Sequence, residues 1–135
     1  KIKKKNNLVI SLLGDGECQE GTIWESANIA ANRNLNNIIA IIDWNGSAKQ
    51  LMPIENLKKR WESFGWNAYV IDGHNQKDFF LMKKIIEKKN KFKPIVFLAK
   101  TTKGKGVSFL EGHGKWHHKL PNKTELKLIE QELKF

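Results

Sequence analysis

The stretch LVISLLGDGECQEGTIWE, Leu8–Glu25, carries the decision about fold. Six apolar or small residues, Leu8–Leu13, end in Gly-Asp-Gly, and a third glycine, Gly21, precedes an apolar-periodic run. That order predicts a buried strand, a glycine turn and a helix, the opening of a βαβ unit. Four carboxylates, Asp15, Glu17, Glu20 and Glu25, crowd the turn and the start of the helix. Like charges at that density repel one another unless a cation or a set of donors faces them.

Outward from this stretch, the same alternation repeats. Short apolar runs at Leu8–Leu13, Ile38–Asp43, Ala68–Ile71 and Ile95–Lys100 predict four strands, each near-continuously apolar as strands buried on both faces are. Helices are predicted near Thr22–Asn34, Glu55–Phe64, Lys77–Lys89 and Lys123–Leu133. The first has Ile23, Ala27, Ala30 and Ala31 on one helical face, small enough to pack closely on a sheet. The expected fold class is therefore α/β, a parallel sheet with helices on both faces, and the 135 residues read as a single domain without repeats or linkers.

Composition narrows the function. The net charge is +10, and residues 73–135 hold fifteen basic against six acidic side chains, whereas residues 1–72 are nearly balanced. Almost all of the excess is lysine, with only Arg33 and Arg60 as arginines, and no nucleic-acid motif accompanies it. A solvated basic surface is the reading, not a nucleic-acid partner. No apolar run approaches the ~20 residues of a membrane span, and KIKKKNNLVISLLG lacks the cleavage pattern of an export signal. One cysteine, Cys18, cannot form an internal disulfide and reads as a loop residue, so a cytoplasmic setting is expected.

In a parallel sheet, ligands sit outside the carboxyl ends of the strands. Gly14–Gly21 falls there; glycines admit a phosphate, and an aspartate among them tolerates one only through a divalent cation. The next strand ends in Asp43-Trp44-Asn45-Gly46, thirty residues on, so neighbouring strands would bring Asp15 and Asn45 to one ion. Other readings compete. Thr22 and Glu25 have capping-box spacing, Asp43 reads as a strand-end turn former, and His113 and His117 are four apart but flanked by helix-breaking Gly112 and Gly114, which disfavours a zinc site.

At these residues the chain resembles the thiamine diphosphate enzymes, whose signature is Gly-Asp-Gly followed some thirty residues later by Asn, and within them the transketolase family. GDGECQEGTIWESANIAANRNLNNIIAIIDWNG, RWESFGWNAYVIDGH and TTKGKGVSFLEGHGKWHHKLPN carry the resemblance, in order, over nearly the whole chain. It implies part of a thiamine diphosphate-binding domain, with Mg (or Ca) held by Asp15, Asn45 and the carbonyl of Ser47. Gly16 would lie against the diphosphate, Lys103 and Gly104 beside the thiazolium, and His117 facing cofactor and sugar. Glu20 and Glu25 match carboxylates at the subunit contact that link two cofactor sites through protons. His118 stands where the family usually has glycine.

The implied reaction is transfer of a two-carbon ketol unit between sugar phosphates. Family segments that precede this stretch, and the pyrimidine domain with its activating glutamate, are not found in the sequence. The chain is therefore expected to need a complementary C-terminal subunit, or to assemble with itself, and to be inactive alone. Two alternatives are an alpha subunit of a 2-oxoacid dehydrogenase, which usually has a second Asn where Gly46 stands and lacks the KGKGVSF to WHH region, and a non-catalytic scaffold of the same fold.

Overall fold

The computed structural model describes residues 7–50, 52–88, 92–112, 116 and 118–134. Its contacts gather into two compact units, Lys1–Lys100 and Thr101–Phe135. The first contains β1 (Val9–Gly14), α1 (Gly21–Asn32), β2 (Ile38–Trp44), α2 (Leu57–Ser63), β3 (Asn67–Asp72), α3 (Gln76–Glu87) and β4 (Ile95–Lys100). The second contains α4 (Lys123–Leu133). Every strand and helix expected from the periodicity is present, with ends moved by at most two residues. Two short 3-10 turns, Glu17–Gln19 and Ser47–Gln50, had no periodic signal to announce them.

All four strands are parallel, in the order β1-β2-β4-β3. Winding runs one way from β1 through β2 to β3 and reverses from β3 to β4. Because parallel crossovers keep one hand, that reversal puts α3 on the opposite face from α1 and α2. Alternation along the strands follows. Ala40, Ile42, Val96 and Leu98 pack with Ala27 and Ala30 of α1 and with Leu57 and Trp61 of α2. Ile39, Ile95, Phe97 and Ala99 pack with Met82 of α3. The helices on both faces are those the sequence calls for.

Burial of the strands differs from expectation at the sheet edges. In the central strand β4, Ile95–Ala99 are all buried. In β1, by contrast, Ile10 is 59% and Leu12 is 72% exposed. These two lie in register with Ile39 and Ile41, on the α3 side, where no described helix reaches them. Tyr69 and Val70 on the other edge strand, β3, are also exposed. An apolar run thus marks a strand here without marking which of its faces is covered.

The first helix starts at Gly21, with Glu20 as an extended N-cap that makes no side-chain capping bond. The Thr22–Glu25 capping box does not form, because the helix begins one residue before Thr22. An aromatic cluster fixes α1 instead. Trp24 lies 5.2 Å from both Trp61 and Phe64, and Trp61 lies 4.8 Å from Trp66 between ring centres. The Trp66 indole donates to the Ala27 carbonyl at 2.9 Å, and the Trp24 indole to the Cys18 carbonyl at 2.8 Å. The second of these bonds ties the turn after β1 to the core.

The second unit is built on a tight loop and a capped helix. At Gly104, φ is +72° and an added Cβ would lie 2.3 Å from the Leu110 carbonyl oxygen, so only glycine fits. Asn122 caps α4, accepting from the Thr124 and Glu125 amides, while Glu125 accepts from the Asn122 amide in a reciprocal box.

Candidate functional site

The parallel register aligns Gly14 with Asp43, so β1 and β2 end side by side and their following turns meet. Asp15 leaves β1 there, its amide donating to the Asp43 carbonyl at 3.1 Å. Its side chain is 6% exposed, and its Oδ2 accepts from the Gly46 amide at 2.7 Å. Its other oxygen, Oδ1, takes no hydrogen bond among the described residues.

Gly46 sits between the two residues that the sequence reading joins to Asp15. Asn45 Nδ2 donates to Asp43 Oδ2 at 3.1 Å, and Asn45 Oδ1 accepts from the Ser47 amide at 2.8 Å. Asp43 therefore orients the Asn45 amide, with the oxygen turned toward Ser47. Positive φ at Gly46, +80°, lets the chain reverse between them.

Gln19 is a site residue that the sequence reading missed. Its Nε2 donates to the carbonyls of Ala48 (3.1 Å) and Met52 (2.5 Å), lashing the turn after β1 to the segment after β2. No periodicity marks an amide whose partners lie about thirty residues away. Glu17 likewise has a local task, accepting from the Gly14 amide at 2.6 Å. Two of the four crowded carboxylates are thus faced by donors of the chain itself, Asp15 by the Gly46 amide and Glu17 by the Gly14 amide, and Asp43 on the neighbouring turn is faced by Asn45.

The donor set suits a hard cation. Among the described residues no three His, Cys, Asp or Glu side chains gather as a metal cluster. The oxygens available are one buried carboxylate, one amide and backbone carbonyls, the kinds of ligand that Mg and Ca take and that soft metals do not. Gly16 has helical backbone angles, −64° and −36°, and an added Cβ there would make only an ordinary 3.8 Å contact with Ala48. Neither the backbone nor the surrounding protein requires a glycine at that position.

Cys18, next on the turn, is 1% exposed and reduced. Its thiol is pushed up to about 11, chiefly by burial and then by the Asp15 carboxylate, with the Trp61 indole opposing and Glu17 adding a little. Such a thiol is no nucleophile at neutral pH. At the end of the neighbouring strand, the Lys100 ammonium lies 5.7 Å from the Trp44 ring centre.

Glu20 and Glu25 are both exposed. Lys103 and Gly104 belong to the loop of the second unit, which the Gly112 amide closes on the Lys103 carbonyl at 2.9 Å. His117, together with His113, lies outside the described residues. No helix among the described residues is long and apolar enough to cross a membrane.

Comparison with known proteins gives the family and the fold. The family described as transketolase, thiamine diphosphate binding domain, matches residues 2–135. The chain is 39% identical over 126 residues to one of the named subunits of the apulose-4-phosphate transketolase of Phocaeicola vulgatus, covering 90% of this chain and 44% of that protein. It is 36% identical over 135 residues to the transketolase of Homo sapiens, covering 96% of this chain and 21% of that one. The crystal structure of transketolase from Campylobacter jejuni superposes with a TM-score of 0.84 at 30% identity, over 96% of this chain and 21% of that one. The chain spans less than half the length of these relatives. With the family matched from end to end and the fold superposed over the same span, the chain belongs to the transketolase family, in its thiamine diphosphate-binding domain.

Proposed function

We propose that this chain holds thiamine diphosphate through Mg (or Ca) and, joined to a complementary C-terminal subunit with a pyrimidine domain or to a second copy, transfers a two-carbon ketol unit between sugar phosphates. The observation that carries the reading is Asp15: a buried carboxylate with one oxygen fixed by the amide of Gly46, the residue after Asn45, and the other without a hydrogen bond among the described residues. A bare diphosphate there would be repelled, whereas a diphosphate bridged by a divalent cation would be attracted. Gly16 supports it, since the protein itself does not need a glycine there.

In this reading Asp15, Asn45 and the Ser47 carbonyl hold the cation, and Gly16 gives the diphosphate room. Thiamine diphosphate, when bound, supplies the ring carbon that takes up and passes on the ketol fragment. Lys103 and Gly104 border that ring, and His117 donates to the oxygen where negative charge develops. Glu20 and Glu25, exposed on the chain, lie against the partner. Residues 1–135 form one partial domain, and a cytoplasmic setting fits its one reduced, buried cysteine. Relatives that are themselves named as transketolase subunits support the split arrangement.

A coupled transfer assay tests the proposal. The chain mixed with a complementary subunit, thiamine diphosphate and Mg is expected to turn over a ketose phosphate and an aldose phosphate, and the chain alone is expected not to. Turnover by a monomer of this chain would overturn the shared-site reading.

A further inference from the structure

Within the first unit, β3 is an edge strand, and its outer side is open. Parallel strands bond to one neighbour through every second residue. The Asn67 and Gly73 amides donate inward, to the Pro94 and Lys100 carbonyls at 3.0 and 2.7 Å, so Ala68, Val70 and Asp72 turn their backbone groups outward. Asp78 closes the last of these, its Oδ2 accepting from the Asp72 amide at 2.7 Å. The Ala68 and Val70 amides and carbonyls have no hydrogen-bond partner among the described residues.

Two hollows of about 660 and 560 Å³ adjoin this edge. The first is lined by residues 66–71 of the strand, and both share Asn67, Tyr69, Leu81 and Ile85, so together they form one trough between β3 and α3. Its floor is apolar: Tyr69 stacks on Phe97 with ring centres 5.7 Å apart, and Leu81 is 48% exposed. Its rim is basic at the Asn67 end. Lys84 and Lys88 line it there, and Lys93 precedes Pro94, whose carbonyl Asn67 bonds. None of these three lysines forms an ion pair among the described residues, whereas the one acid of the lining, Glu62, is already paired with Lys58.

We propose that the β3 edge is a docking strand for an extended, acidic segment of a partner protein. The segment adds to the sheet through Ala68 and Val70, lays alternate apolar side chains on Tyr69, Leu81 and Ile85, and brings carboxylates to Lys84, Lys88 and Lys93. The lysines decide the occupant. A second copy would set the same lysines against themselves, whereas an acidic segment meets opposite charge that no described residue satisfies.

A short fluorescein-labelled peptide that alternates valine with glutamate, titrated into the full chain, tests this by anisotropy, with amide hydrogen exchange as the second readout. Saturable binding is expected, with exchange at Ala68 and Val70 slowed about tenfold and exchange at the inward-bonded Tyr69 unchanged. The same peptide N-methylated throughout is expected to bind about tenfold more weakly or worse. So is the unmodified peptide with the double variant Lys84→Glu and Lys88→Glu, both exposed positions whose melting temperature checks the fold. Absence of saturable binding would overturn the proposal. Binding that leaves exchange at Ala68 and Val70 unchanged would overturn strand addition, and equal binding of a peptide with lysine in place of glutamate would overturn the acidic partner. Slow exchange of both amides in the chain without peptide, with the mass of a dimer in light scattering, would overturn it in favour of a second copy.

Discussion

The Gly46 amide donates to Asp15 Oδ2 at 2.7 Å, joining the ends of two parallel strands across 31 residues of sequence. This bond needs an acceptor but not a charge, and the proposed cation needs the charge. Asp15→Asn therefore separates the two. It is expected to keep the fold within about 1 kcal/mol, since the amide oxygen still accepts from Gly46, and to weaken Mg-dependent cofactor binding more than tenfold. Denaturant titration and calorimetry on the same preparation check both halves.

Gly16 and Gly104 are glycines for different reasons. Gly16 has ordinary helical angles and room for a methyl group, whereas Gly104 has φ +72° and a backbone oxygen 2.3 Å from its would-be Cβ. Gly16→Ala is expected to leave the melting temperature within ~2 °C, as a compatible Gly→Ala change does, yet to weaken thiamine diphosphate binding. Gly104→Ala is expected to destabilise the second unit by at least about 2 kcal/mol with or without cofactor. Equal effects of the two substitutions on melting would contradict this division.

Asp43 holds Asn45 by the 3.1 Å bond from Nδ2 to Oδ2. Read from the sequence, it is a turn former; in the fold it also fixes which way the Asn45 oxygen points. Asp43→Ala is expected to cost about 1 kcal/mol of stability and to weaken cation binding several-fold, less than Asn45→Ala does. A larger loss of cation affinity in Asp43→Ala than in Asn45→Ala would make Asp43 itself the ligand.

Much of this was legible in the sequence because periodicity is local. Continuous apolar runs named the four strands, and Ile23, Ala27, Ala30 and Ala31 named the buried face of α1. Strand adjacency then brought Asp15 to the turn that carries Asn45, through the Gly46 amide. Edge exposure was not legible: Ile10 and Leu12 look like buried-strand residues, and only the sheet order leaves them open. Nor was Gln19, whose carbonyl partners at Ala48 and Met52 are set by the meeting of two 3-10 turns, which have no repeating pattern. The helix start at Gly21 escaped for a related reason, since the Trp24 indole bond to the Cys18 carbonyl, rather than a capping side chain, anchors that end.

Cys18 gives the molecule a pH signature. With its thiol raised from 9.0 to about 11, the folded chain keeps a proton that the unfolded chain has lost. The contribution is therefore fully present below pH 9 and disappears as pH rises toward 11, an effect of at most about 3 kcal/mol. Guanidinium unfolding midpoints measured from about pH 8 to 11 should fall more steeply for the natural chain than for Cys18→Ala. Parallel curves would mean the thiol ionises as freely inside the fold as outside it. At neutral pH the same thiol should resist alkylation until the chain unfolds.

The central claim is that Asp15 meets the diphosphate only through a divalent cation, so cation and cofactor must bind together. Calorimetric titration of thiamine diphosphate into the chain with its complementary subunit, in Mg and again in chelator, measures this directly. The account predicts tight binding in Mg or Ca and a loss of at least a hundredfold in chelator, with Asp15→Ala showing the weak value under both conditions. Equal affinity with and without the cation would contradict it.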